Sequence, residues 1–199
     1  MSSEWTRSGI GLGAIHNYYG ATTLIAKKLS TMFEVLMPEC YNIYKKAFEA
    51  GVWIDSDPGP WLGRAIVYKL QVSLHKDKDD GGPAVSFPVG SFKGGEMLIP
   101  QLEAKLSYVS CFFISFIWLI FLLSYKPGHI CLFFTSRIYH SVSKWTPCVK
   151  NKGDKLTPGR IGHVFFFPRE SLNQLEGKEK GWAKSTNFGR APYTSYRKT

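Results

Sequence analysis

Residues 55–63 read Asp-Ser-Asp-Pro-Gly-Pro-Trp-Leu-Gly, and they separate two patterns that cannot belong to one element. Pro58 and Pro60 flank Gly59, so no helix continues through this turn. Before it, Leu24, Ile25, Leu29, Met32, Phe33 and Leu36 recur at helical spacing, and Pro38 interrupts before a second helical stretch ending at Gly51. After it come short extended runs between turns: Ala65–Leu74, Ala84–Val89, Glu96–Leu102, His129–Ser136 and Gly162–Pro168. In the fourth run Ile130, Leu132 and Phe134 share one face, as in a strand with one side in a core. Strands without long intervening helices indicate a mostly antiparallel barrel or sandwich. The expected class is therefore α+β, with N-terminal helices backing a β core.

Residues 109–124, VSCFFISFIWLIFLLS, do not fit this pattern: sixteen residues pass without a charge. That is short of the roughly 17–25 residues a bilayer-spanning helix needs. The stretch is framed by a repeat, Leu-Ser-Tyr at 106–108 and again at 123–125. Removing one copy with the intervening residues restores QLEAKLSYKPGHICLFF, a strand, turn and strand. We read it as an insertion into a loop, in the manner of a retained intron, rather than as a membrane anchor, with a buried extra helix as the alternative.

The 199 residues, 44% hydrophobic and 15% aromatic, suffice for a sizeable core. The expected organisation is a helical support region over 1–61, a β core over 62–169 and a basic tail over 170–199. Cys40, Cys111, Cys131 and Cys148 form no Cys-x-x-Cys pair, which speaks against a zinc site or a disulfide framework. With no basic-then-apolar leader pattern and no Asn-x-Ser/Thr acceptor, an intracellular location, nucleus or cytoplasm, is expected over secretion. The net charge of +10, concentrated toward the C-terminus, would assist approach to polyanions such as DNA or RNA, or form only a solvated tail.

The chemistry-bearing stretch is LHKDKDD, residues 74–80. Non-haem iron oxygenases hold one face of the metal with two histidines and a carboxylate, leaving positions for a chelating cosubstrate and oxygen. His75 and Asp77, two apart on a strand end, would share one face. His140 follows the apolar strand at 129–136 and offers the second histidine. Arg160, at the mouth of the last strand, could hold a distal carboxylate by its bidentate fork. Asp79 and Asp80 compete with Asp77 but lack its spacing from His75, and Arg137, Lys150 and Lys152 compete with Arg160. His16, His129 and His163 read as structural, and Trp145, Phe165 and Phe167 as core.

In this order the motifs SFKGGEMLIPQL, KLSYKPGHICLFFTSRIYHSV and GRIGHVFFF, spanning about residues 66–168 apart from the insertion, resemble the Fe(II)/2-oxoglutarate-dependent dioxygenases. They are most similar to fungal members of the group that includes the TET and J-binding-protein base oxygenases. The resemblance implies a double-stranded β-helix, or jelly-roll. It makes His75, Asp77 and His140 the iron ligands and Arg160 the 2-oxoglutarate anchor. It further implies O2 as co-reactant and hydroxylation of a C–H bond, on a modified nucleic-acid base or alternatively on a protein side chain or small molecule. A catalytically decayed copy, its barrel spoiled by the insertion, is the non-enzymatic alternative. The chain departs from the family at His129, where an acidic residue usually follows Pro-Gly.

Overall fold

The computed structural model describes residues 9–52, 57–68, 71–102, 104–106, 129–148, 158–187 and 189–190. The apolar insertion at 109–124, Lys150 and Lys152 lie outside them. The described residues form an α+β protein with antiparallel sheets and four α-helices.

Pro38 divides the helical region as its chemistry requires: α1 spans Gly9–Leu36 and α2 spans Pro38–Gly51. Proline opens α2 because a first-turn residue needs no N–H, and Glu39 suits the positive end of the helix. The stripe that α1 buries, Ala26, Leu29 and Phe33, is narrower than its run of apolar residues. Leu24 is 83% exposed, since five residues place it about 140° around the helix from Leu29. Leu36, the last residue of α1, is also exposed.

Aromatic side chains hold this helical unit together. Phe33 stacks on Trp61 with ring centroids 5.1 Å apart, and its edge contacts Tyr44 at 5.5 Å. Tyr44 in turn packs on Phe167 at 5.0 Å. The stretch expected as a basic tail contributes two short helices, α3 (Arg169–Leu175) and α4 (Trp182–Thr186). Leu175 lies so close to Gly51 that a Cβ there would come within 2.5 Å of its Cδ1. The Gly181 N–H donates to the Glu49 carbonyl at 2.8 Å. The described residues of Met1–Gly63 and Phe167–Thr199 thus form one compact unit, and those of Arg64–Phe166 form the other.

The second unit is built from short strands. These are β1 (Gly63–Tyr68), β2 (Ala84–Val89), β3 (Phe92–Gly94), β4 (Met97–Ile99), β5 (Ala104–Leu106), β6 (Cys131–Phe133), β7 (Ser141–Val142), β8 (Trp145–Pro147) and β9 (Ile161–Phe166). They assemble into three sheets, ordered β1-β9-β2-β6, β5-β4-β7 and β3-β8. β2 is one of the two inner strands of the first sheet, with Ala84, Val85 and Phe87 buried. It tolerates Pro88 because pairing with β6 covers only Ala84–Ser86, so the missing N–H breaks no bond on that side.

The expected strand over 65–74 ends early, at Tyr68. β1 pairs within the first sheet, whereas the Val72 carbonyl accepts the Val142 N–H at 3.0 Å, so the chain changes partners between them. Pro100 likewise stops β4 and opens a single 3-10 turn over Pro100–Leu102. Among the described residues, no helix is long and apolar enough to cross a membrane.

Candidate metal centre

His75 and His140 face each other in an antiparallel bridge. The His75 N–H donates to the His140 carbonyl at 3.0 Å, and the His140 N–H returns to the His75 carbonyl at 2.9 Å. Residues directly opposite in such a pair project to the same side, and here the imidazole centroids are 4.3 Å apart. Asp77, two residues past His75, comes to that same side: its Oδ1 lies 3.3 Å from His75 Nε2 and its Oδ2 3.5 Å from His140 Nε2. One ligand atom from each of the three residues falls within 4.8 Å of the others. The two-residue spacing thus brings Asp77 to the side of the rings although Asp77 itself lies beyond the bridge, and the bridge supplies the distant partner.

The outer hydrogen bonds orient both rings. His75 Nδ1 lies 2.8 Å from the Ser73 carbonyl, and His140 Nδ1 lies 3.1 Å from the Ile138 carbonyl. A carbonyl can only accept, so each Nδ1 carries the proton and, in the neutral ring, each Nε2 offers a lone pair toward Asp77. Two lone pairs and a carboxylate then converge on one another, an arrangement that needs a cation or a ring proton among them. Burial lowers the tendency of His140 to protonate, but the Asp77 carboxylate and the Ile138 carbonyl outweigh it and its pKa is raised. Ligands bound to one metal at about 2.0–2.2 Å and roughly at right angles sit about 3 Å apart, close to the spacings seen. The donor set fits a divalent ion.

The competing aspartates separate by environment. Asp79 is exposed, and Asp80 is buried with its Oδ2 accepting the Thr135 hydroxyl at 2.5 Å. Burial pushes Asp80 up to about 6, against the opposing effect of the Thr135 bond. This Asp80–Thr135 contact is a feature that residue spacing did not reveal, since Asp80 is one of five charges in a row and Thr135 an ordinary residue after a strand.

Arg160 is outside the His-Asp-His group. It is buried, 4% exposed, with its guanidinium carbon 5.8 Å above the Phe92 ring. Two glycines make room for it: a Cβ at Gly95 would lie 3.1 Å from Arg160 Cδ, and one at Gly162 would lie 3.3 Å from Nη1. Gly95, at φ +72°, donates its N–H to the Lys144 carbonyl at 3.0 Å, which links the Arg160 surroundings to the chain that leaves His140 through β7. The competing Arg137 is exposed, its guanidinium over the Phe134 ring at 4.7 Å.

Of the remaining expectations, His163 stacks on Phe87 with centroids 5.0 Å apart, and its burial lowers its pKa. Phe165 and Phe167 are fully buried, as expected of core residues. Trp145 is only half-buried: it meets Phe92 edge-on at 6.4 Å and, with Lys93 and Lys144, lines an open groove along β3 and β8. A three-residue strand with one partner has too little cover to bury an indole. Compared with protein-family models and with curated proteins, the chain matches none.

Proposed function

We propose that this chain is an Fe(II)- and 2-oxoglutarate-dependent dioxygenase on a double-stranded β-helix, hydroxylating a C–H bond of a nucleic-acid base. The observation that carries the proposal is the convergence of His75 Nε2, His140 Nε2 and the Asp77 carboxylate. Two neutral nitrogens and one anionic oxygen are the donor set that non-haem ferrous oxygenases use. The antiparallel pairing of β2 with β6 and β9, and of β4 with β5 and β7, supports the jelly-roll core.

When bound, ferrous iron with 2-oxoglutarate and O2 supplies the oxidation of a C–H bond to an alcohol, the cosubstrate leaving as succinate and carbon dioxide. The chain's own part is positional. His75 and His140 present lone pairs because the Ser73 and Ile138 carbonyls hold their other nitrogens. Asp77 adds one negative charge that favours a cation at that point. Arg160 provides a planar donor fork suited to a carboxylate, on a side chain whose position two glycines define. The net charge of +10 favours a polyanionic substrate.

The test is anaerobic titration of the purified chain with Fe(II) and 2-oxoglutarate, followed by O2. A visible charge-transfer absorption and O2-dependent succinate are expected, and absence of both overturns the assignment. Modified-base oligonucleotides, peptides and small molecules offered in parallel identify the substrate, and oxidation of peptides alone would shift the reading to a protein hydroxylase.

A further inference from the structure

Asp77 sits on a half-exposed loop rather than within a ladder strand, so its carboxylate needs some other restraint to stay between two histidines. Three hydrogen bonds close a small ring around it. The Asp77 N–H donates to the Thr135 carbonyl at 3.1 Å, the Asp80 N–H donates to the Asp77 carbonyl at 3.0 Å, and the Thr135 hydroxyl donates to Asp80 Oδ2 at 2.5 Å. Thr135 is 1% exposed and Asp80 6%, so water offers neither a ready substitute. Asp80 and Thr135 are 55 residues apart in sequence, and Thr135 enters the turn that leads to His140. That turn is closed by the Arg137 and Ile138 N–H groups, both donating to the Phe134 carbonyl, and the Ile138 carbonyl then holds His140 Nδ1. One threonine thus touches the backbone of one ligand and begins the segment that orients another.

We infer that Thr135 and Asp80 form a positioning clip that sets the Asp77 carboxylate against His75 and His140, so that metal affinity and coordination geometry depend on a side-chain bond made outside the metal ligands. The clip presupposes the metal centre proposed above. Asp80 is not a spare ligand: its carboxylate is turned into the protein and accepts from Thr135. The loop therefore divides labour between two aspartates three positions apart, one for the ion and one for the loop.

The experiment is a Co(II) titration of the full chain, followed by visible absorption, with folding checked by circular dichroism. Outer-shell partners of metal ligands typically contribute about 10–100-fold to affinity. Thr135→Val, which keeps shape but removes the donor, is expected to lose at least about tenfold in Co(II) affinity and to change the shape of the cobalt spectrum. Thr135→Ser is expected to restore both. Asp80→Asn keeps an acceptor without the charge and should give a smaller loss with the same direction of spectral change. That variant also carries the test should Thr135→Val not fold. Wild-type affinity and spectrum in the folded Thr135→Val or Asp80→Asn variant overturn the clip while leaving the metal centre standing. No Co(II) binding by the wild type overturns both.

Discussion

The helical unit and the β unit are held by different kinds of contact. In the first, Phe33, Trp61, Tyr44 and Phe167 bury large rings against one another, and each contact is one of many. In the second, the metal ligands are placed by a handful of single hydrogen bonds: two across the His75–His140 bridge, one from each Nδ1, and the ring through Thr135 and Asp80. A typical hydrogen bond is worth only about 0.5–1.5 kcal/mol net, whereas burying a large aromatic contributes several times that. Contacts of such unequal strength predict that stability and chemistry are separable: loss of the site's geometry should leave the fold standing, and a weakened helical core should leave the site's shape intact.

Asp77→Ala is expected to have the largest effect and bears directly on that separation. Fe(II) or Co(II) binding should fall to background, while stability in urea changes by less than about 1 kcal/mol, because Asp77 is half-exposed and its backbone bonds remain. Global unfolding on this substitution would show that site and fold are not separable. Trp61→Ala tests the converse. Removing this fully buried indole should cost about 3–5 kcal/mol, with the metal affinity of the remaining folded protein unchanged.

Arg160→Leu sharpens the division inside the β unit. Losing the partner of a desolvated charge costs roughly 2–5 kcal/mol, so 2-oxoglutarate affinity should fall by about thirtyfold or more while Fe(II) binding persists. Calorimetric titration distinguishes the two ligands, and unchanged 2-oxoglutarate affinity would move the anchor to another cation, with Arg137 the next described candidate.

A smaller effect appears in the pH dependence of the metal-free protein. Asp80 titrates at about 6 in the fold against 3.8 ordinarily, so within that window the folded state holds the proton more tightly than the unfolded chain. Its contribution makes stability fall as pH rises from about 4 to 6. Asp80→Asn should remove this slope, and denaturant melts across the window should show the variant gaining on the wild type as pH rises. A constant difference would mean that Asp80 is hydrated in the fold. The smallest effect is expected at His163, whose pKa is lowered from 6.5 by burial. Its neutral ring contributes stability that is complete above 6.5 and lost as pH falls through the depressed folded value. His163→Gln should flatten that acid limb in the same melts.

Much of the local structure was legible from short-range chemistry. Pro38 marked the helix boundary and the turn-bounded run Ala84–Val89 a strand, because proline geometry and turn residues act within a few residues. The two-residue spacing of His75 and Asp77 predicted a shared face for the same reason. The short α3 and α4 were not legible, because helices of 7 and 5 residues hardly form alone and depend on packing such as Leu175 against Gly51.

Residue identity and spacing alone therefore supply the donor set. Register, like the approach of Gly95 to Arg160 from far along the chain, comes from the assembled fold. That His140 stands opposite His75, rather than one residue off and on the other face, depends on bonds between segments far apart in the chain. The burial of Asp80 against Thr135 depends on such bonds too. Spacing from His75 already favours Asp77 as the ligand, but nothing in the charged run shows that Asp80 turns into the protein. Burial and long-range hydrogen bonding are properties of the assembled chain, and no local pattern of charges carries them.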